Sequence, residues 1–148
     1  MSEPTFVATE IIRTIPTIMR VMAAELRKQH TQLLPAQLGV LGALSIHSCN
    51  LSELAEMSGV SLPTMSGTVS HMVTQGWIQR TRSPHDRRMI LLELTPDGRA
   101  LLDQLVQHIV AHLADLLTPL SAEELTAVAH GLINLQKVFP PLEPFKKE

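Results

Sequence analysis

Along this chain apolar residues recur at helical spacing in stretch after stretch, and at one place the period switches to alternation. Near the start, Ile11, Ile15, Ile18, Met22 and Leu26 share one helical face. Pro16 interrupts that stripe, and because an interior proline forfeits a backbone hydrogen bond it predicts a kink or the effective start of the helix. Residues 35–48 read as a second apolar helix holding Leu38, Leu41, Leu44 and Ile46. A short third helix carries Leu51, Leu54, Ala55 and Met57, with Asn50 or Ser52 as its cap and Gly59 at its end. Ser61 caps the next, Pro63 falls in its first turn, and Met65, Val69, Met72 and Val73 mark an inward face until Gly76 closes it. Thr95-Pro96 opens a long helix with Leu102, Leu105, Ile109, Leu113 and Leu116, ended by Thr118-Pro119. Ser121-Ala122-Glu123-Glu124 is a capping box for a last helix bearing Leu125, Val128, Leu132, Leu135 and Val138, stopped by Pro140-Pro141.

Alternation replaces helical spacing after Gly76. Trp77 to Arg82 reads as a strand, Ser83-Pro84-His85-Asp86 supplies turn chemistry, and Ile90, Leu92 and Leu94 share one face of a second strand. The result is a hairpin with Arg87 and Arg88 near its tip, directly behind two short helices joined through a glycine turn. That order is a winged helix-turn-helix, whose second helix is suited to a DNA groove. Ser61, Thr64 and Ser66 are candidate DNA contacts at the start of that helix, and Thr68 and His71 lie further along on its outward side. Hydroxyls bond phosphates or base edges, so they set register more than they discriminate. For Ser61 and Thr64 the plainer role is helix capping, and a cap also serves as a phosphate ligand. Arg87 and Arg88 are expected to reach the minor groove and a phosphate, with Asp86 orienting a guanidinium and pinning the turn. The plainer reading of these arginines is a solvated hairpin.

The segment from about Leu51 to Leu102 resembles the MarR family of bacterial transcriptional regulators. Its D-x-R-x-x-x-L-x-L-T pattern is met by Asp86, Arg88, Leu92, Leu94 and Thr95. Pro63-Thr64-Met65-Ser66 is similar to the start of the family's recognition helix, and Gly76-Trp77-Ile78-Gln79-Arg80 to its exit into the wing. The resemblance implies a mainly α fold with a small β-wing and a homodimer held by N- and C-terminal helices. It also implies a repressor released by a small ligand, metal or oxidant. The corresponding parts are an N-terminal dimerisation helix at 1–34, a DNA-binding lobe at 35–100 and C-terminal dimerisation helices at 101–148, within one compact chain. The terminal helices carry more apolar surface than one winged lobe needs, which also points to two interleaved chains on a pseudo-palindromic operator. Position 67 departs from the family: many relatives carry a long basic or polar residue there, and this chain has Gly67. Either the backbone approaches DNA closely at that point or a base contact is missing.

Composition bounds the reading further. A chain of 148 residues with 45% hydrophobic content supports one domain with a real core. It has no run of apolar residues long enough for a membrane span, and its first residues lack a secretory pattern, so a cytoplasmic protein is expected. The net charge of −2 sits awkwardly with a polyanionic partner until its distribution is considered. Between Ser61 and Arg88 four arginines (80, 82, 87 and 88) stand against Asp86, a local net of +3. From Met89 onward four basic residues face eight acidic ones. A local basic patch suffices for phosphate contact, and a dimer doubles it.

The releasing signal is less legible. His108 and His112 stand four apart on the long helix, a spacing that holds zinc where further ligands converge. A zinc-sensing branch of the family completes such a pair from its first two helices. Here the second helix reads Gln37-Leu38-Gly39-Val40, leaving Glu25, His30 and His47 as substitutes, and two solvated or interface histidines as the plainer reading. Cys49 is the single cysteine, so no internal disulfide forms. The family's thiol sensors carry theirs in the first helix, and a small buried residue is the expectation for Cys49. A small organic effector, bound between dimer frame and DNA-binding lobe, remains the default, with no cofactor required. No motif groups a nucleophile with a base, so an enzyme is not expected. The principal alternatives are a winged interaction module that does not bind DNA and a metal-responsive regulator using His108 and His112.

Overall fold

The computed structural model describes residues 2–29 and 33–140. Six helices and one two-stranded sheet follow in the order α1 (Glu3–Lys28), α2 (Pro35–Ile46), α3 (Leu51–Ser58), α4 (Leu62–Thr74), β1 (Ile78–Arg82), β2 (Ile90–Leu94), α5 (Pro96–Leu117) and α6 (Ala122–Leu135). The fold is mainly α with a small β-wing. The chain divides into two compact units, residues 1–35 and 36–148.

The first unit is essentially α1, which corrects one of the two expectations at Pro16, that the helix effectively starts there. The helix begins at Glu3, with Pro4 in its first turn, and continues through Pro16 to Lys28, so Pro16 is not its start. One missing N–H is tolerable in a helix of 26 residues, where neighbouring turns keep their bonds. Ile12, Ile15 and Ile18 are exposed, while Glu25 and Leu26 near the C-terminal end are buried. Glu25 pairs with Lys28 at 3.5 Å.

In the second unit the helix ends are set by residues that were legible in advance. The Asn50 side chain accepts the Glu53 N–H at 2.8 Å, and the Glu53 carboxylate accepts the Asn50 N–H at 2.9 Å. This reciprocal box fixes where α3 begins. Gly59 ends α3 at φ 63°, the left-handed conformation that a side chain resists. Ser61 caps α4, Thr95 caps α5, and Ser121 with Glu124 forms a second reciprocal box on α6.

The core of this unit is built from Leu41 and Leu44 of α2, Leu54 of α3, Met65, Val69 and Met72 of α4, Ile78 of β1, Leu92 of β2, and Leu102, Leu105 and Ile109 of α5. Ile46 was expected among them but is exposed at the last position of α2. The wing also departs from simple alternation: Ile90 is 52% exposed, whereas Leu91 and Leu92 are both buried. The strands pair antiparallel, Ile78 opposite Leu94 through Arg82 opposite Ile90. Leu92 makes a further pair of backbone bonds with Cys49 on the other side of β2 (3.3 and 2.8 Å), an added strand position that periodicity did not reveal. β2 is therefore central at Leu92 and covered on both faces there.

At the C-terminal end, α6 stops at Leu135, short of Pro140, and Val138 lies beyond the helix. Pro141 lies outside the described residues. None of α6 is buried: Leu125, Val128, Leu132 and Ile133 are all exposed, as are Val110 and Leu116 on α5. No described helix is long and apolar enough to cross a membrane.

Because Asn50 satisfies an otherwise orphaned helix donor, Asn50→Ala is expected to destabilise the fold by about 1 kcal/mol, with Asn50→Asp close to the parent. Urea denaturation followed by circular dichroism checks this; equal midpoints for Asn50→Ala and the parent would show the box to be idle.

Candidate nucleic-acid interface

The second helix of the helix-turn-helix, α4, buries Met65, Val69 and Met72 and turns Ser61, Thr64, Ser66, Gly67, Ser70 and His71 outward. Its first turn is organised by hydroxyls. Ser61 Oγ accepts the Thr64 N–H at 3.3 Å and donates to Thr64 Oγ1 at 2.9 Å. Ser61 and Thr64 thus form the cap and also stand at the exposed, partly positive end of the helix, where an anionic oxygen is favoured. Ser66 is exposed, and no bond ties its hydroxyl within the described residues. Thr68 is half-buried and spends its hydroxyl on the Thr64 carbonyl at 3.2 Å, so its methyl is left to meet a partner. His71, exposed on the last turn, presents its ring edge-on to Trp77, with centroids 6.4 Å apart. The hydroxyl-bearing start and the histidine end of α4 therefore lie on one accessible side, although Thr68 is more withdrawn than its spacing implied.

Gly67 has no steric obligation in this chain: a Cβ built there meets nothing within 4 Å. The glycine is thus not required by packing, and any constraint on it comes from outside the chain.

Wing geometry corrects the role expected for Asp86. Its Oδ1 accepts the backbone N–H of Arg88 at 3.0 Å, and the Met89 N–H bonds the Asp86 carbonyl at 2.9 Å. Asp86 forms no ion pair with Arg87 or Arg88; it pins the turn through backbone and leaves both guanidiniums exposed. A short polar side chain reaches an N–H two residues on more readily than a guanidinium that solvent already satisfies. The turn is held from inside by Ser83, whose buried hydroxyl oxygen accepts the N–H groups of His85 and Asp86 at 3.3 and 3.4 Å. Arg82 donates to the Arg87 carbonyl at 3.5 Å, placing a third arginine beside the tip.

In the sequence Arg80 figures as local charge and as the last residue of the exit into the wing. It lines a cleft of about 220 Å³ with Leu51, Ser66, Val69, Ile90 and Leu92, and its guanidinium donates to Ser70 Oγ at 3.3 Å. Arg80 shares a strand face with buried Ile78 and exposed Arg82, and stands opposite buried Leu92 of β2.

Among the described residues no three His, Cys, Asp or Glu converge as a metal site. His108 and His112 are half-buried on α5 and find no third ligand there, Glu25 is ion-paired with Lys28, and His30 lies outside the described residues. His47 keeps a buried Nδ1 without a hydrogen-bond partner among the described residues. Cys49 is 1% exposed, and burial first, then the charge of Glu53, raises its thiol from the ordinary 9.0 to about 11. The thiolate that an oxidant attacks is thus suppressed.

The sign of the linkage follows from that shift. Above pH 9 the unfolded thiol loses its proton while the folded one keeps it, so stability is expected to fall as pH rises from 9 toward 11. Cys49→Ala should lack that component of the slope. Native protein at pH 8 should react with a thiol reagent only as fast as it opens; rapid reaction would mean the thiol is accessible after all.

Comparison with known proteins agrees with this architecture. The MarR family model matches residues 31–89. The uncharacterized HTH-type transcriptional regulator YfiV of Bacillus subtilis is 33% identical over 113 residues, spanning 76% of this chain and 69% of that protein. The multiple antibiotic resistance protein MarR of Escherichia coli is 31% identical over 107 residues, 71% of this chain and 72% of that one. Among solved structures, apo MarR from Escherichia coli superposes with a TM-score of 0.76 at 25% identity, over 90% of this chain and 96% of that chain. YusO of Bacillus subtilis does so with a TM-score of 0.70 at 28% identity, over 93% and 99%. A helix-turn-helix with a pinned, arginine-tipped wing, in a chain this similar to those regulators, belongs to the MarR family of winged helix-turn-helix transcriptional regulators, DNA-binding proteins rather than enzymes.

Proposed function

We propose that this regulator binds a pseudo-palindromic operator as a homodimer and represses transcription until a small organic acid releases it. The observation that carries the DNA-binding reading is the wing. Arg87 and Arg88 are exposed on a turn held by Asp86 and Ser83, and they have no acidic partner among the described residues. Two unneutralised guanidiniums on a narrow projection are suited to phosphates and a minor groove. The dimer reading draws support from apolar side chains left in water on α1, α5 and α6, among them Ile12 at 74%, Val110 at 58% and Leu132 at 53% exposure. Apolar surface of that extent marks an interaction face, and a twofold pair sets its recognition helices about one DNA turn apart. Repression has a precedent in the HTH-type transcriptional repressor MdtR of Bacillus subtilis, 34% identical over 97 residues, 63% of that protein.

For the effector, the cleft at Arg80 favours a small flat acid. Leu51, Val69, Ile90 and Leu92 offer apolar walls, while Arg80 and Ser66 offer a cation and a hydroxyl for a carboxylate. BpsR of Bordetella bronchiseptica, similar in fold, has its DNA binding regulated by 6-hydroxynicotinic acid, a molecule of that class. An acid lodged between α4 and the wing strands would compete with DNA for the same side of the lobe.

Fluorescence-anisotropy titration against the chain's own upstream DNA and a scrambled control tests the reading. The parent should prefer the upstream DNA, with affinity falling steeply as salt rises. Arg88→Ala should weaken binding to all sequences and reduce the salt slope by about one ion. Unchanged affinity in that variant would remove the wing from the interface. Nicotinate or benzoate should release the parent, and Arg80→Ala should need markedly more acid; equal release would move the effector site elsewhere.

A further inference from the structure

A Cβ added at Gly98, in the first turn of α5, would fall inside the carbonyl oxygen of Trp77 and within 2.9 Å of its carbonyl carbon. The obstacle is backbone, which cannot swing aside. Gly98 is helical rather than left-handed, so its glycine is demanded by close approach and not by conformation.

The surrounding bonds show what this approach joins. Gly76, at φ 80°, ends the recognition helix, and the Trp77 N–H returns to the Met72 carbonyl at 3.1 Å. On its other side Trp77 offers its carbonyl to the Thr95 N–H at 3.1 Å. The Thr95 hydroxyl donates to the Gly76 carbonyl and accepts the Gly98 N–H at 3.0 Å. The Trp77 indole then reaches back to the His71 ring on the last turn of α4. Residues 76 and 77 are thus held from α4 through two N–H groups, that of Gly76 bonding the Val73 carbonyl at 2.9 Å, and a ring contact, and from α5 through two carbonyls and a face where only hydrogen fits.

We infer that this backbone joint fixes the direction of the recognition helix relative to α5, and that Gly98 is a positioning residue for DNA binding although it lies on the far side of Trp77 from the helix it orients. The inference rests on the DNA-binding reading above. α5 continues from the joint into exposed apolar positions such as Val110 and Leu116. With a second copy seated there, the same joint carries the geometry of the pair to each recognition helix. A bulkier residue at 98 turns α4 without unfolding it, and turning α4 displaces every contact it makes in the groove.

Trp77 is the single tryptophan, so its emission reports on the joint directly. The full chain is compared with Gly98→Ala, Thr95→Val and a core control, Leu44→Ala, which loses thermal stability without touching the joint. Helicity, mass in solution, Trp77 emission and affinity for upstream DNA are measured well below each melting temperature. Gly98→Ala is expected to keep its helicity and mass, shift Trp77 emission and lose about tenfold or more in affinity, while Leu44→Ala binds like the parent. Should Gly98→Ala not fold, Thr95→Val, which keeps its backbone donor and shape but loses both hydroxyl bonds, is judged by the same criterion. Parent-like affinity in the folded joint variant, or an equal loss in Leu44→Ala, overturns the inference and leaves the DNA-binding reading standing. A parent that binds no DNA overturns both.

Discussion

An isolated two-stranded hairpin is marginal in water, yet the function proposed for this chain requires one to hold two arginines at a fixed place. The dependence falls on Leu92. Its N–H and carbonyl both bond Cys49, its neighbours along β2 pair with β1, and its side chain is 2% exposed. One residue ties the wing to the segment between α2 and α3 and seats it in the core. Leu91, buried on the opposite face, adds a second anchor. The hairpin is therefore not an appendage: β2 lies between β1 and the Cys49 bridge, and the tip inherits the rigidity of the lobe.

The same arrangement explains Cys49. A residue that pairs its backbone with a central strand and turns its side chain into the core must be small and uncharged there. Burial then keeps the thiol protonated, and Glu53, occupied with the cap of α3, adds a negative charge that opposes ionisation further. What stands out in the sequence as the single cysteine is, in the fold, an apolar strand residue.

Much of this architecture was legible because local chemistry decides it. Asn50, Gly59, Ser61, Thr95 and Ser121 each set a helix end through bonds within a few residues, and such bonds leave a direct trace in sequence. The candidate interface was legible for the same reason, since a basic turn behind two short helices is a local pattern. What stayed hidden depends on distant partners. The pairing of Cys49 with Leu92, the contact of Gly98 with Trp77 and the cleft around Arg80 join residues far apart in the chain, and no periodicity encodes them. Asp86 was placed at the right turn but assigned the wrong partner, because sequence shows the guanidiniums beside it and not the N–H two residues on. At Pro16 a local rule misled as to where the helix begins: helix length on both sides outweighed one lost bond.

In the wing, shape and charge reside in different side chains. Ser83 and Asp86 build the turn entirely through backbone N–H groups, and neither draws on the guanidiniums at 87 and 88. The two tip positions are therefore under no architectural obligation. They are free to exchange arginine for lysine, or for a polar residue, while the loop that presents them keeps its form. Under the proposed function, operator preference can drift within such a scaffold by substitutions at the tip alone, without a compensating change in the residues that fold it.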